Sequence, residues 1–89
     1  MQRPIYTLAF ARSIGKELKQ LPKKDQARIV ALIERLAENP LPSGYKKLSG
    51  TENLYRVRSG DYRIIYEIKN TVLIILILKV SHRKDAYRA

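Results

Sequence analysis

The sequence contains no cysteine and only one histidine among its 89 residues. Disulfide bonds and thiolate metal sites are therefore excluded, and a structural zinc site is not expected. Acidic residues are also scarce, with 8 against 18 lysines and arginines, which gives a net charge of +10. Because such a charge on a small domain attracts polyanions, we expect nucleic acid as the leading partner and an acidic protein as the second.

Long apolar segments are missing too. The longest run is Val72–Leu78, far short of the roughly 20 residues that cross a bilayer. The N-terminus, from Met1 to Phe10, lacks the apolar core followed by small residues that marks a signal peptide. We therefore expect a soluble cytoplasmic protein with no membrane partner, organised as one domain over residues 1–89.

The first half of the chain predicts a strand and a helical hairpin. Ile5–Leu8 is typical of a short strand. Pro22 fits the first turn of the second helix, and Asn39–Pro40 ends that helix. Two sets of apolar residues recur at helical spacing: Phe10, Ile14, Leu18 and Leu21 for the first helix, and Ile29, Ile33, Leu36 and Ala37 for the second.

The second half changes to the alternation of strands. Leu54–Arg58 and Tyr62–Ile68 predict two strands joined by a tight turn at Ser59–Gly60. Val72–Val80 predicts a third strand, and the unbroken apolar run within it predicts a central strand covered on both faces. The expected fold class is α+β, with a strand, two helices and three antiparallel strands, the helices packed on one sheet face and the other face partly open.

Three arginines are predicted to converge on the hairpin. Arg56 and Arg58 share a face because side chains alternate along a strand. With the turn at Ser59–Gly60, Arg58 lies opposite Asp61. The same register places Arg63 opposite Arg56, on their shared face. Opposed arginines repel, so this arrangement favours a bound phosphate; the alternative is a solvated basic face with an Arg58–Asp61 ion pair.

Polar candidates cluster near the C-terminus as well. His82 is a candidate for proton transfer because imidazole titrates near neutral pH, although a lone histidine is also a common packing or surface residue. Tyr87 could stack on a base of single-stranded RNA or simply cover the core. Four further cations are candidate RNA contacts, with solvated surface charge as the alternative: Lys46, Lys47, Lys84 and Arg88.

Nearly the whole chain resembles the RelE/ParE toxin superfamily. The similarity is carried by LKQLP at 18–22, NPLPSGYKKLSG at 39–50, LYRVRSGDYRIIY at 54–66 and VSHRKDAY at 80–87. The order and spacing of these segments are more specific than any one of them. The resemblance implies the fold given above and a cognate antitoxin, expected to be acidic and to wrap the toxin. For the RelE branch it also implies ribosome-dependent cleavage of mRNA.

The resemblance also implies site residues. Its basic and aromatic site positions fall here on Arg56, Arg58, Arg63, Arg83 and Tyr87. The implied reaction is attack of a ribose 2′-hydroxyl on the adjacent phosphate, with the arginines neutralising the developing charge. No metal ion or cofactor is expected. The RelE pattern has lysines at two of these positions, and arginine stays protonated, so the general base remains open, with His82 the leading candidate.

Two other functions remain open. A ParE-type toxin on the same fold would inhibit DNA gyrase and cleave nothing. A basic nucleic-acid-binding domain without toxicity would bind polyanions in a salt-dependent manner. The convergent arginines and the C-terminal Arg83 and Tyr87 favour the RelE type.

Overall fold

The computed structural model describes residues 5–50 and 52–82. The described elements are β1 (Thr7–Phe10), α1 (Ile14–Lys19), α2 (Lys23–Leu36), β2 (Lys46–Lys47), β3 (Leu54–Ser59), β4 (Tyr62–Lys69) and β5 (Ile74–His82). The strands form one five-stranded sheet in the order β1-β5-β4-β3-β2. β1 runs parallel to β5, and the other neighbouring strands are antiparallel. The α+β class and the order of the main elements are confirmed.

The first strand lies later in the chain than predicted. Phe10 is the last residue of β1 and pairs with Ile77 of β5, so its assignment to the first helix was wrong. The backbone N–H of the next residue, Ala11, also donates to the Ile77 carbonyl at 2.8 Å. Hydrogen bonding to the neighbouring strand therefore outweighs the helical spacing of Phe10 from Ile14, a long-range effect that spacing alone does not reveal.

The helical hairpin has a short first helix and a longer second one. Pro22 precedes α2 as its N-terminal cap, with φ of −55°, one residue before the predicted position. The side-chain amide of Gln26 donates to the Leu21 carbonyl at 2.8 Å and closes the joint between the helices. The predicted apolar stripe of α2 is confirmed, because Ile29, Ile33, Leu36 and Ala37 are all buried. Neither described helix is long and apolar enough to cross a membrane.

The core lies between the helices and one face of the sheet. Its members on the strands are Val57, Ile64, Tyr66, Ile68, Ile75, Ile77 and Val80, and those on the helices are Ile14, Ile29, Ile33 and Leu36. We call this side of the sheet the inner face. β5 lies between β1 and β4, as predicted for a central strand.

The expectation that β5 is covered on both faces was wrong for the described part of the chain. Ile74 and Leu76, which alternate with the core residues of β5, are only half-buried. Val72 and Leu73 precede the strand and are exposed. An apolar run therefore marked an interior strand correctly, but within residues 5–50 and 52–82 its second face is only half-buried.

Candidate functional site

The β3–β4 hairpin turns one residue later than predicted. Ser59 pairs with Tyr62, so the two turn residues are Gly60 and Asp61. Gly60 has φ of +60°, a conformation that favours glycine at the first central position of a type II′ turn. The turn at Ser59–Gly60 was therefore wrong, because it placed the glycine second.

The true register changes which residues face each other. Arg63 lies opposite Arg58, and Arg56 lies opposite Ile65, so the predicted Arg58–Asp61 and Arg56–Arg63 pairings were wrong. The shift amounts to two residues, which preserves the alternation of faces. The three arginines therefore share one face, as predicted, with Arg58 and Arg63 as its directly opposed pair.

Two cross-strand rows, polar except for Ile65, form on this face, which points away from the helices. One row contains Arg58, Arg63 and Ser81, and the other contains Lys46, Arg56, Ile65 and Lys79. Side chains directly opposed across strands have Cβ atoms about 4.5–5.5 Å apart. We call the surface formed by Lys46, Arg56, Arg58, Arg63 and Lys79 the arginine face.

The arginine face combines permanent charge with restricted side chains. Arg56 and Arg63 are half-buried and Arg58 is exposed. The Nε atoms of Arg56 and Arg63 are shut off from solvent, so their stems are held against the sheet. Guanidinium groups stay protonated and present forked donors that match phosphate oxygens. Arg56 and Arg63 can therefore contact a phosphate with side chains whose stems are already held in place, whereas Arg58 contributes an exposed guanidinium.

His82 lies away from the arginines. It pairs with Tyr62 across β4 and β5, and the two rings meet edge to face with centroids 5.2 Å apart. Tyr62 packs against the core on the inner face, whereas the next residue, Arg63, points to the opposite side. The structure therefore does not bring His82 together with the three arginines.

The remaining predicted residues divide into two groups. Lys46 lies opposite Arg56 and joins the arginine face, whereas Lys47 lies opposite Tyr55 and belongs to the inner side. Four residues lie outside the described part of the chain: Arg83, Lys84, Tyr87 and Arg88. Within residues 5–50 and 52–82, no group of three or more histidine, aspartate or glutamate side chains is arranged to hold a metal ion.

Lys79 is a cation of this face that sequence reasoning missed. Its pairing with Ile65 depends on a register irregularity between Ile65 and Tyr66. A carboxylate oxygen of Glu17 in α1 accepts the backbone N–H of Val80 at 2.7 Å, next to this irregularity. The only sequence signal was a lysine interrupting the apolar run of β5, and that signal does not say which face the lysine takes.

A groove of about 320 Å³ lies where α1 meets the end of β5. Its lining residues are Glu17, Gln20, Leu21, Tyr62, Lys79, Val80, Ser81 and His82. The hydrogen bond from the Val80 N–H to the Glu17 carboxylate joins α1 to β5 at this groove.

Three tyrosines form a ladder on the inner side of the sheet: Tyr45 directly before β2, Tyr55 on β3 and Tyr66 on β4. The rings of Tyr55 and Tyr66 stack with centroids 5.9 Å apart, and Tyr45 meets Tyr55 at the same distance with a tilt of 59°. The hydroxyl of Tyr66 donates to the Pro40 carbonyl at 2.6 Å. Burial raises the pKa of Tyr66 above its ordinary value, and the neighbouring Tyr55 and Tyr45 raise it further.

Comparisons with known proteins agree with this architecture. The family described as the ParE toxin of the type II toxin–antitoxin system parDE matches residues 5–87. Toxin RelE3 of Methanocaldococcus jannaschii is 37% identical over 82 residues, covering 88% of this chain and 91% of that protein. Toxin RelG of Mycobacterium tuberculosis is 33% identical over 87 residues, covering 93% and 97%.

A solved structure gives the same result. A chain of the archaeal RelE–RelB complex from Pyrococcus horikoshii OT3 matches with a TM-score of 0.80 and 34% identity, covering 96% of this chain and 99% of that one. Sequence family, relatives and fold therefore agree, and the chain belongs to the RelE/ParE superfamily of toxins from type II toxin–antitoxin systems.

Proposed function

We propose that this toxin is a ribosome-dependent endoribonuclease that cleaves mRNA and thereby stops translation. The observation that carries the proposal is the direct pairing of Arg58 with Arg63, with Arg56 in the adjacent row of the same face. Opposed like charges destabilise a hairpin slightly, whereas a phosphate between them turns that repulsion into binding. The similarity to toxins named RelE supports the same reaction class.

The proposed step needs no group other than the RNA itself as nucleophile. The ribose 2′-hydroxyl oxygen forms a bond to the adjacent phosphorus, and the bond from phosphorus to the 5′-oxygen breaks. The products are a 2′,3′-cyclic phosphate and a 5′-hydroxyl. Arg56, Arg58 and Arg63 hold the phosphate and neutralise the charge that grows on its oxygens, which is commonly the largest electrostatic contribution to such a step.

The structure does not support His82, the leading candidate from the sequence, as the group that accepts the proton of the 2′-hydroxyl. The 2′-hydroxyl gives up a proton and the 5′-oxygen gains one, and arginine cannot accept a proton because it stays protonated. His82 packs against Tyr62 on the inner face, so its position does not favour it as the base beside the arginines. We propose instead that water accepts the proton of the 2′-hydroxyl and supplies one to the 5′-oxygen. The ribosome aligns the 2′-hydroxyl with the phosphate, and alignment alone can contribute up to roughly 7–11 kcal/mol.

The resemblance assigns two further roles. Arg83 adds a cation after β5, and Tyr87 stacks on or orients a nucleotide. Both stay predictions, as do the phosphate contacts of Lys84 and Arg88. Because the nucleophile and the charge neutralisation are both accounted for without a metal ion, we propose metal-independent cleavage that survives EDTA once ribosome integrity is controlled.

A cognate antitoxin is part of the proposal. The relatives from Pyrococcus horikoshii and Methanococcus jannaschii were solved as RelE–RelB complexes. A net charge of +10 favours an acidic partner, and a segment that folds on binding could wrap the toxin. We expect expression of the toxin alone to arrest growth and co-expression of the neighbouring open reading frame to restore it. Normal growth with abundant, folded wild-type toxin would contradict this role.

The decisive experiment is primer extension on a defined mRNA in a translating extract. Wild-type protein should produce cuts within the coding region, and Arg63→Ala should not. The same mRNA without ribosomes serves as the control and should stay intact. Intact mRNA in the translating extract with folded, antitoxin-binding toxin would refute the nuclease assignment.

Gyrase inhibition is the second candidate, and one observation favours it: the matching family is described as ParE toxin. A supercoiling assay with purified gyrase separates the two. The nuclease proposal expects full supercoiling at toxin concentrations that abolish translation. Loss of supercoiling together with intact mRNA would instead assign the ParE activity.

A further inference from the structure

The tyrosine ladder ends in an exposed ring. Tyr45 is 41% exposed, although its ring contacts Tyr55 at 5.9 Å. Tyr66 anchors the other end through full burial and its hydrogen bond to the Pro40 carbonyl. The exposed ring of Tyr45 therefore packs on Tyr55, which in turn stacks on the anchored Tyr66, and this aromatic backing makes it a prepared stacking surface.

Two lysines follow Tyr45 in the chain, and they lie on opposite faces of the sheet. Tyr45 directly precedes β2, which lies at the end of the sheet next to β3. Lys47 pairs with Tyr55 and so shares the ladder's side, whereas Lys46 pairs with Arg56 on the arginine face. The edge strand β2 therefore carries one lysine on the arginine face and one on the side where the exposed end of the ladder lies.

We propose that Tyr45 stacks on an unpaired RNA base and that Lys47 binds a neighbouring phosphate. An RNA strand held on the arginine face passes Lys46, crosses the β2 edge and places a base on Tyr45, a few nucleotides from the phosphate between Arg58 and Arg63. This site rests on the proposed function, because it assumes that the polyanion is RNA.

Chemistry favours a single strand as the ligand of this site. A flat ring beside a lysine matches a base and its phosphate, the combination with which proteins grip single-stranded nucleic acid. Bases in a duplex are already stacked on each other and do not offer a free face. An acidic protein segment would bind the lysines without requiring the aromatic ring. Substitutions of Tyr45 therefore distinguish single-stranded RNA from an acidic protein segment as the ligand.

The test uses a fluorescein-labelled 2′-O-methyl oligoadenosine decamer, which lacks the attacking hydroxyl and cannot be cleaved. Base stacking on an aromatic side chain contributes about 1–3 kcal/mol, so Tyr45→Ala should weaken binding roughly 5- to 150-fold. Tyr45→Phe keeps the ring and should bind like wild type. Phe10→Ala is the matched control, because Phe10 is 52% exposed on β1 at the opposite end of the sheet.

Two readouts distinguish stacking from a merely structural role. The chain contains no tryptophan, so Tyr45→Trp introduces a single reporter whose emission should be quenched when an unlabelled decamer binds. The emission of Phe10→Trp should not change. Lys47→Ala should reduce the slope of log Kd against log salt by about 0.7, the value for one phosphate of a single strand, whereas Tyr45→Ala should leave that slope unchanged.

Binding of the decamer to folded Tyr45→Ala with wild-type affinity would overturn the proposal, and so would unchanged emission of the Tyr45→Trp variant at saturation. Wild-type RNA binding by Tyr45→Ala combined with loss of antitoxin binding would assign the ring to the protein partner, and so would also overturn it. If any of these results is found and the wild-type toxin cleaves mRNA normally, only the Tyr45 site is refuted. Tyr45-dependent RNA binding without cleavage would refute only the nuclease assignment.

Discussion

Arg63→Ala should abolish most of the cleavage activity while leaving the fold intact. Arg63 lies between Arg58 and Ser81 in a cross-strand row of the arginine face, and its half-buried stem holds the guanidinium in place. Removing one preorganised donor to a developing anion commonly reduces the rate about 10²–10³-fold, or about 2.7–4 kcal/mol. We therefore expect single-turnover cleavage on programmed ribosomes to fall by that factor.

The stability of Arg63→Ala follows from two opposing effects. The substitution removes the repulsion between opposed arginines, about 0.2–1 kcal/mol, and also removes the packing of a half-buried stem. The free energy of unfolding should therefore change by less than about 1 kcal/mol, which corresponds to a melting shift below roughly 4–8 °C for a domain of this size. Antitoxin binding should persist, which gives a second check on folding.

Two comparison variants sharpen the test. Arg63→Lys keeps the charge but loses the forked donor, so it should recover only part of the rate. Arg28→Ala removes an equal charge from the exposed surface of α2, and it should cleave at nearly the wild-type rate. Near wild-type cleavage by Arg63→Ala would refute the site, and a variant inactive only because it is unfolded would leave the assignment without support.

Four further predictions concern the stability of the fold. Tyr66→Phe removes the hydrogen bond to Pro40 and should cost about 1 kcal/mol in denaturant unfolding. Burial raises the pKa of Tyr66, so above about pH 10 the folded state keeps a proton that the unfolded chain loses. The free energy of unfolding of the wild type should therefore fall as pH rises above about 10, and it should fall less in Tyr66→Phe, which has no hydroxyl to titrate. Leu73, at φ 55°, should tolerate glycine but lose about 1 kcal/mol or more as valine on thermal melting. Glu17→Ala, which orphans the Val80 N–H, should cost about 1–2 kcal/mol by the same assay, whereas Glu17→Gln should not.

The sequence predicted the helices and strands in which buried residues recur at the spacing typical of that element, every three to four residues in a helix and every second residue in a strand. The stripe of Ile29, Ile33 and Leu36 is visible in the sequence because one helix face meets the core. The alternation along β4 is equally visible. β2 was not predicted because its two lysines have no apolar alternation, and it exists as a strand only through pairing with β3.

The candidate site shows a similar division. The shared face of Arg56, Arg58 and Arg63 could be predicted because an error of two residues in register leaves faces unchanged. The identity of the opposed pair could not, since it depends on whether Gly60 is the first or the second turn residue. The inner-face position of His82 depends on the irregular register between β4 and β5, which involves residues distant in sequence.

The same two strands carry the core and the site without sharing a side chain. In β3, buried Val57 separates Arg56 from Arg58, and in β4 Arg63 stands next to buried Ile64. Because alternate side chains point to opposite faces, substitutions of the arginines leave the packing beneath them in place. Substitutions of Val57 or Ile64 should instead unfold the domain and disturb both properties together. A toxin with a thin core can therefore concentrate repelling cations on one face, because the apolar face of the same strands provides the stability that opposes their repulsion.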